Sequence, residues 1–183
     1  MTLTATLYHW KITLSDVERG VYEPLDLRLA CHPSESLRYL VTRAIAYALS
    51  YEDGIAFSKG GISSTDEPPV FVRDPTGILL AWIEIGAPSA ERLHKASKAA
   101  RRVALFTSAN VESLRDEART GAIHRADAIE VWQLDQAFLD RVGERLERTM
   151  SLELVHSDGR LYLTIGGEVL DGAVERSALA APD

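Results

Sequence analysis

The chain of 183 residues has a single cysteine, Cys31. That excludes an internal disulfide and a cysteine-rich zinc site, and suits reducing conditions. Positive charge is in deficit: 20 Lys and Arg stand against 27 Asp and Glu, a net charge of −7. That argues against a protein that coats nucleic acid indiscriminately but does not exclude a local basic cleft. No apolar run approaches the roughly 20 residues needed to span a bilayer. Residues 1–10 have neither a basic start nor an apolar stretch of signal-peptide type, so the expected location is the cytoplasm, off the membrane. Nucleophile-elbow, dinucleotide and P-loop signatures are missing, and the five histidines have no metal-ligand spacing.

The most informative residue present is Glu84. It is the only charge in the run Ile78-Leu79-Leu80-Ala81-Trp82-Ile83-Glu84-Ile85. Turn residues bound this run: Asp74-Pro75-Thr76-Gly77 before it, Gly86-Ala87-Pro88 after it. A continuous apolar stretch so bounded predicts a strand buried on both faces. An ionised carboxylate there costs several kcal/mol or more unless it is paired or binds a metal. Two readings follow: a strand acid paired with an arginine, or a ligand for Mg²⁺, which prefers oxygen donors. If the acid were unpaired, its removal would leave stability unchanged or raised.

Along the chain, residues 3–14 and 21–31 read as a long hairpin, with Leu25, Leu27, Leu29 and Cys31 on one face. A mostly buried helix is expected over 34–51, capped by Ser34 or His32, with Glu35 in its first turn. Strands are expected at 55–58, 71–73, 78–85, 103–107 and 129–134. Helices are expected at 89–101, about 111–119, and from Asp135 onward. Residues 151–156 and 160–165 flank Ser157-Asp158-Gly159, the strongest hairpin signal in the chain. The order predicts an α/β (α+β) fold, one mixed sheet flanked by helices, in a single domain over 1–175. Residues 176–183, small and ending in Pro182-Asp183, read as a loose tail.

Several idiosyncratic segments appear together: Leu29-Ala30-Cys31-His32-Pro33-Ser34-Glu35, Asp66-Glu67-Pro68, Trp82-Ile83-Glu84-Ile85-Gly86, Glu91-Arg92-Leu93-His94-Lys95-Ala96 and Glu147-Arg148-Thr149-Met150-Ser151-Leu152. On these the chain, from Leu3 to about Ile165, resembles the YaeQ family. That family is similar to a variant of the PD-(D/E)XK nuclease-like superfamily, with a restriction-endonuclease-like core. The resemblance implies a Mg²⁺-dependent phosphodiesterase. Glu84 and an acid from Asp66 or Glu67 would hold the metal. Glu35 would orient the outer shell, and Lys95 would replace the motif lysine. Two positions depart from the pattern: Gly86 stands two after Glu84, where a lysine is expected, and Pro69 stands where a further acid is expected. The departures motivate the alternative, a non-catalytic nucleic-acid- or protein-binding module on the same fold. In either case Lys98, Arg101, Arg102 and Lys59 are the expected contacts to nucleic acid.

Overall fold

The structure, a computed structural model, describes residues 4–59 and 66–182. Strands β1 (Thr6–Asp16) and β2 (Val21–Cys31) form the long hairpin that their alternation predicts. Helix α1 (Leu37–Leu49) follows. Its cap is Ser36, whose hydroxyl accepts from the Tyr39 N–H at 3.1 Å. The expected cap at Ser34 or His32 is therefore corrected, and Glu35 lies in the turn before the helix. The chain continues through β3 (Ile55–Phe57), β4 (Val70–Arg73), β5 (Leu79–Ile85), α2 (Ala90–Ala99) and β6 (Arg102–Thr107). Next come α3 (Glu112–Arg119), a 3₁₀ turn (Ala126–Ala128), β7 (Ile129–Leu134) and α4 (Gln136–Gly143). Strands β8 (Thr149–Ser157), β9 (Arg160–Ile165) and β10 (Glu168–Ala178) close the sequence of elements.

The ten strands form one mixed sheet in the order β2-β1-β8-β9-β10-β7-β6-β5-β4-β3. Pairs β1–β8, β5–β6 and β6–β7 are parallel, and the other neighbours are antiparallel. β5 lies inside the sheet, between β6 and β4, though nearer one end of the sheet than its centre. Period-2 alternation divides its neighbourhood into two apolar layers. Ala81, Ile83, Ile85, Ala104 and Phe106 pack toward α1 and α4. Trp82, Val103, Leu105 and Val131 pack against Leu93 and Ala96 of α2. This explains the uninterrupted apolar run: both faces of β5 are covered. No helix among the described residues is long and apolar enough to cross a membrane.

A buried polar staple joins the first hairpin to α1. Asp16 is fully buried and accepts from Arg19 Nε at 2.6 Å, and it sits 2.9 Å from His156 Nδ1. Arg19 then donates to the carbonyls of Ala48 and Tyr51, each at 3.1 Å, satisfying the carbonyl end of α1.

The β8–β9 hairpin turns at Asp158 (φ 50°) and Gly159 (φ 70°), the pair of left-handed residues that an Asp-Gly two-residue turn requires. β10 is absent from the sequence expectation, and the loose tail is corrected with it. Inward positions of β10 include Leu170, Gly172 and Val174, and a glycine on the buried face erases the alternation that marks a strand. Gly172 is there because Phe138 of α4 crosses it: a Cβ would stand 2.5 Å from Phe138 Cβ and Cγ. Beyond β10, Leu179 is 1% exposed, and its N–H donates to the Ile129 carbonyl at 2.9 Å. Arg115 Nη1 donates to the carbonyls of Ala178 and Leu179. Overpacking a close-packed interface costs about 1–3 kcal/mol, so Gly172→Ala should lower the unfolding free energy by that amount and the urea midpoint with it. An unchanged midpoint would show that α4 can move off β10 freely.

Candidate functional site

β5 and β6 run parallel, so their carboxyl ends lie on the same edge of the sheet, the side where ligands usually bind in open α/β sheets. Glu84 is the penultimate residue of β5 and is 3% exposed. It lies on the same face as Trp82, two residues earlier, and that face is the one α2 covers. Trp82 Nε1 donates to Glu84 Oε2 at 2.9 Å, and Arg92 Nε donates to the same oxygen at 2.6 Å. The Ile85 N–H reaches Oε1 at 3.3 Å. Arg92 is delivered by the first turn of α2, capped by Ser89, which accepts from the Arg92 N–H at 3.2 Å. The guanidinium lies over the Trp82 ring at 5.4 Å, and Nη2 donates to the Glu67 carbonyl at 3.1 Å. The buried acid is thus paired, as the first of the two readings has it, and its charge is compensated by Arg92.

Gly86 ends the strand with φ +86°, a conformation that excludes most side chains. A Cβ there would lie 3.7 Å from the Tyr39 ring, so α1 packs directly on this turn. The Tyr39 phenol is pushed up to about 12 by burial first and then by the charges of Glu84 and Glu35, with Arg43 and Arg92 opposing. Glu35 and Glu84 therefore both act on one phenol. Glu35 itself is buried and pairs with Arg43 Nη2 at 3.2 Å. Arg43 also donates to the Ala30 carbonyl at 2.8 Å and lies over Phe57 at 5.5 Å. Among the described residues Glu35 Oε1 and Arg43 Nε have no hydrogen-bond partner. The Cys31 thiol nearby is pushed up by burial and by Glu35, with Arg43 opposing.

Lys95, Asp66, Glu67 and Arg102 hold partners other than a metal or a phosphate. Lys95 extends outward to Asp66 at 2.7 Å, an exposed pair that holds the Asp66 carboxyl below its ordinary value. The expectation that Lys95 serves Glu84 is corrected: Arg92, one turn earlier, holds that place. Glu67 uses its carboxylate on the Ser58 hydroxyl at 2.7 Å. Lys59 is exposed, and the adjoining Gly60-Gly61 lie outside the described residues. Arg102, expected to contact nucleic acid, is the first residue of β6. It forms a two-point ion pair with Glu130 at 2.9 and 3.0 Å, so its guanidinium is committed away from the α2 surface.

Lys98 and Arg101 are exposed beside α2. With His124, Arg125 and Ile78 they line a groove of about 490 Å³, and a second groove of about 800 Å³ runs past Asp66, Arg92, His94 and Lys95 to Lys98. Arg125 was not predicted. It has a left-handed backbone (φ 50°), and His94 Nδ1 accepts the His124 N–H at 3.1 Å, which fixes this loop against α2. An Arg beside a histidine in a loop carries no sequence signal of its own; only the fold brings it to Arg101.

Among the described residues no three His, Cys, Asp or Glu side chains are grouped to hold a metal ion. The donor set at Glu84 does not fit Mg²⁺, because a guanidinium already occupies Oε2 at hydrogen-bond distance and would repel a second cation.

A family model described as YaeQ protein matches residues 1–173. The chain belongs to the YaeQ family. It is 33% identical over 167 residues to the uncharacterized protein YaeQ of Escherichia coli (strain K12), covering 90% of this chain and 91% of that one. The YaeQ of Salmonella typhi is 32% identical over 166 residues, with the same coverage. Among solved structures, the YaeQ protein of Xanthomonas axonopodis pv. citri superposes with a TM-score of 0.85 at 28% identity, covering 98% of this chain and 100% of that chain. YaeQ from Pseudomonas syringae gives 0.84 at 27% identity, covering 94% and 95%.

Removing one partner of a buried ion pair costs roughly 3–5 kcal/mol. Because Arg92 retains 22% side-chain exposure, Glu84→Ala should fall toward the lower end of that range in urea unfolding. This reverses the expectation for an unpaired acid, and an unchanged or raised stability would contradict the pair. Tyr39 gives a second test. Its folded pKa is raised, so its contribution to stability is complete below the ordinary tyrosine value and is lost as pH rises toward about 12. Glu84→Gln should lower the phenol titration seen by ultraviolet absorbance, leaving only the part due to burial and Glu35. No change would separate Tyr39 from Glu84.

Proposed function

We propose that the chain is a nucleic-acid-binding module that grips phosphates through the surface of α2, on a fold related to the nuclease-like superfamily. One observation carries this reading. Lys98, Arg101 and Arg125 line one exposed groove with no ion-pair partner among the described residues, in a protein whose net charge is −7. Elsewhere the arginines are mostly committed: Arg19, Arg38, Arg43, Arg102, Arg145 and Arg160 all hold carboxylates. Cations left unpaired beside a groove are available to an external anion, and the acidic remainder orients a polyanion toward them. His94 adds a donor: with Nδ1 accepting from the backbone, the proton of the neutral ring sits on Nε2. Magnesium-dependent hydrolysis is the competing reading, and it requires Glu84 to be released by Arg92.

The test is fluorescence anisotropy of labelled DNA and RNA 20-mers at several salt concentrations, with gel analysis for cleavage in Mg²⁺. Wild type should bind at low salt without cutting. Lys98→Glu with Arg101→Glu should weaken binding at least tenfold and flatten the plot of log affinity against log salt by about 2. Equal binding by the double variant would overturn the proposal. Magnesium-dependent cleavage that disappears in Glu84→Gln would establish the hydrolytic reading instead.

A further inference from the structure

We propose that β2 pairs antiparallel with β2 of a second copy of the chain, about a twofold axis at Leu27, so that two sheets join into one. The inference stands apart from the nucleic-acid reading of α2. β2 is the end strand of the sheet, with β1 on one side and, among the described residues, no strand on the other. It is 11 residues long, and a bare edge of that length is a template for another strand. Its unused backbone groups are identified from β1. The His9 N–H donates away from β2, to the Arg148 carbonyl at the start of β8, at 2.6 Å. Successive residues of a strand turn their backbone groups to opposite sides. The even-numbered residues of β1 therefore bond β2, and their partners are odd-numbered: Tyr8 faces Leu29, and Trp10 faces Leu27. Pro24, Asp26, Arg28 and Ala30 are left turning their backbone groups outward. Two further observations agree. Pro24 has no N–H to leave unpaired on that side. The Ala30 carbonyl accepts from Arg43 Nη2 at 2.8 Å, outside the β1 pairing.

One register satisfies this edge. With Leu27 on the axis, Asp26 stands opposite the partner's Arg28, and Pro24 opposite the partner's Ala30. Each Asp26–Arg28 couple exchanges both of its backbone hydrogen bonds. The Ala30 N–H donates to the partner's Pro24 carbonyl. Proline cannot return that bond, so the Ala30 carbonyl is the acceptor left over, and Arg43 already serves it. The side chains fit the same register. Asp26 and Arg28 are exposed on one face of β2, while Leu25, Leu27 and Leu29 are buried on the other. Arg28 has no ion-pair partner among the described residues. Lys11 lies beside Asp26 on β1, so the joined sheet carries the row Lys11, Asp26, the partner's Arg28, alternating in sign. Opposite charges facing across strands are stabilising and like charges destabilising. The next row is apolar: Leu7, 71% exposed, lies beside Ala30 and then the partner's Pro24. Slipping the register by two residues sets Asp26 against the partner's Asp26, or Arg28 against the partner's Arg28. The charges and the proline that blunt this edge toward other strands thus select a second copy in this register. The contact uses the same patch on both chains and closes at two.

Sedimentation velocity of the full chain, from micromolar to submillimolar concentration, tests this. Wild type should pass from monomer to dimer across that range. Asp26→Arg and Arg28→Asp should each raise the dissociation constant about tenfold or more, because each sets two like-charge pairs across the axis. Both positions are exposed, so the substitutions leave the core untouched. An equimolar mixture of the two variants should regain the wild-type dimer, since arginine again faces aspartate at both positions of the mixed pair. Amide hydrogen exchange gives a second readout: the Asp26, Arg28 and Ala30 N–H groups should exchange fast in dilute wild type and slowly in concentrated protein. A wild type that stays monomeric at submillimolar concentration would overturn the proposal. So would a dimer that both variants retain, or a mixture no more dimeric than its components, because the contact would then lie elsewhere on the surface.

Discussion

Glu84 sits on a strand with helices on both sides, where an ionised carboxylate costs several kcal/mol unless compensated. The ion pair with Arg92 is that compensation, and much of the local architecture depends on it. It anchors the first turn of α2 to the end of β5. Through Nη2 it also holds the carbonyl of Glu67, tying the segment before β4 to the same point. Trp82 contributes twice, by its indole N–H to the carboxylate and by its ring to the guanidinium. On the other side of the turn, Gly86 lies beside the Tyr39 ring, so α1 and α2 meet the strand end from opposite faces.

This arrangement separates two functions that a nuclease-like site would combine. The acids lie inside and are neutralised, Glu84 by Arg92 and Glu35 by Arg43. Lys98, Arg101 and Arg125, which have no ion-pair partner among the described residues, lie outside, at the far end of α2 and in the loop before β7. A phosphate chain following that outer surface would meet Lys98, Arg101 and Arg125 without needing a metal. Binding of that kind depends on unpaired charge and accessibility, both of which the groove supplies.

Much of the fold is legible in the sequence because its signals are local. Alternation marks β2, the Asp-Gly pair marks the β8–β9 turn, and Asp135 caps α4, accepting from the Ala137 N–H at 2.9 Å. The strand β10 is not legible, since its buried face carries a glycine chosen to fit Phe138, a residue about 34 positions away in sequence. Glu84 stands out as a charge in an apolar run, and pairing with an arginine is one of its two readings, but the sequence does not say which arginine. The relevant signal is geometric: Trp82 and Glu84 share the α2 face of the strand, and Arg92 borders Leu93 and Ala96, the buried stripe of that helix. The residue adjoining the buried stripe in the first turn reaches the strand end, while Lys95 reaches the rim. The helix expected over 89–101 in fact ends at Ala99, and Arg102 opens β6. Two residues of helix length decide whether it faces solvent or pairs with Glu130.

The central claim, that Glu84 and Arg92 are bound to each other and compensate one buried charge, is tested most directly by a double-mutant cycle in urea unfolding. Glu84→Gln, Arg92→Met and the double variant would be compared with wild type. A coupling energy of about 2 kcal/mol is predicted, within the roughly 0.5–3 kcal/mol range for residues in direct contact. A coupling below about 0.3 kcal/mol, the usual scatter for independent sites, would contradict the account.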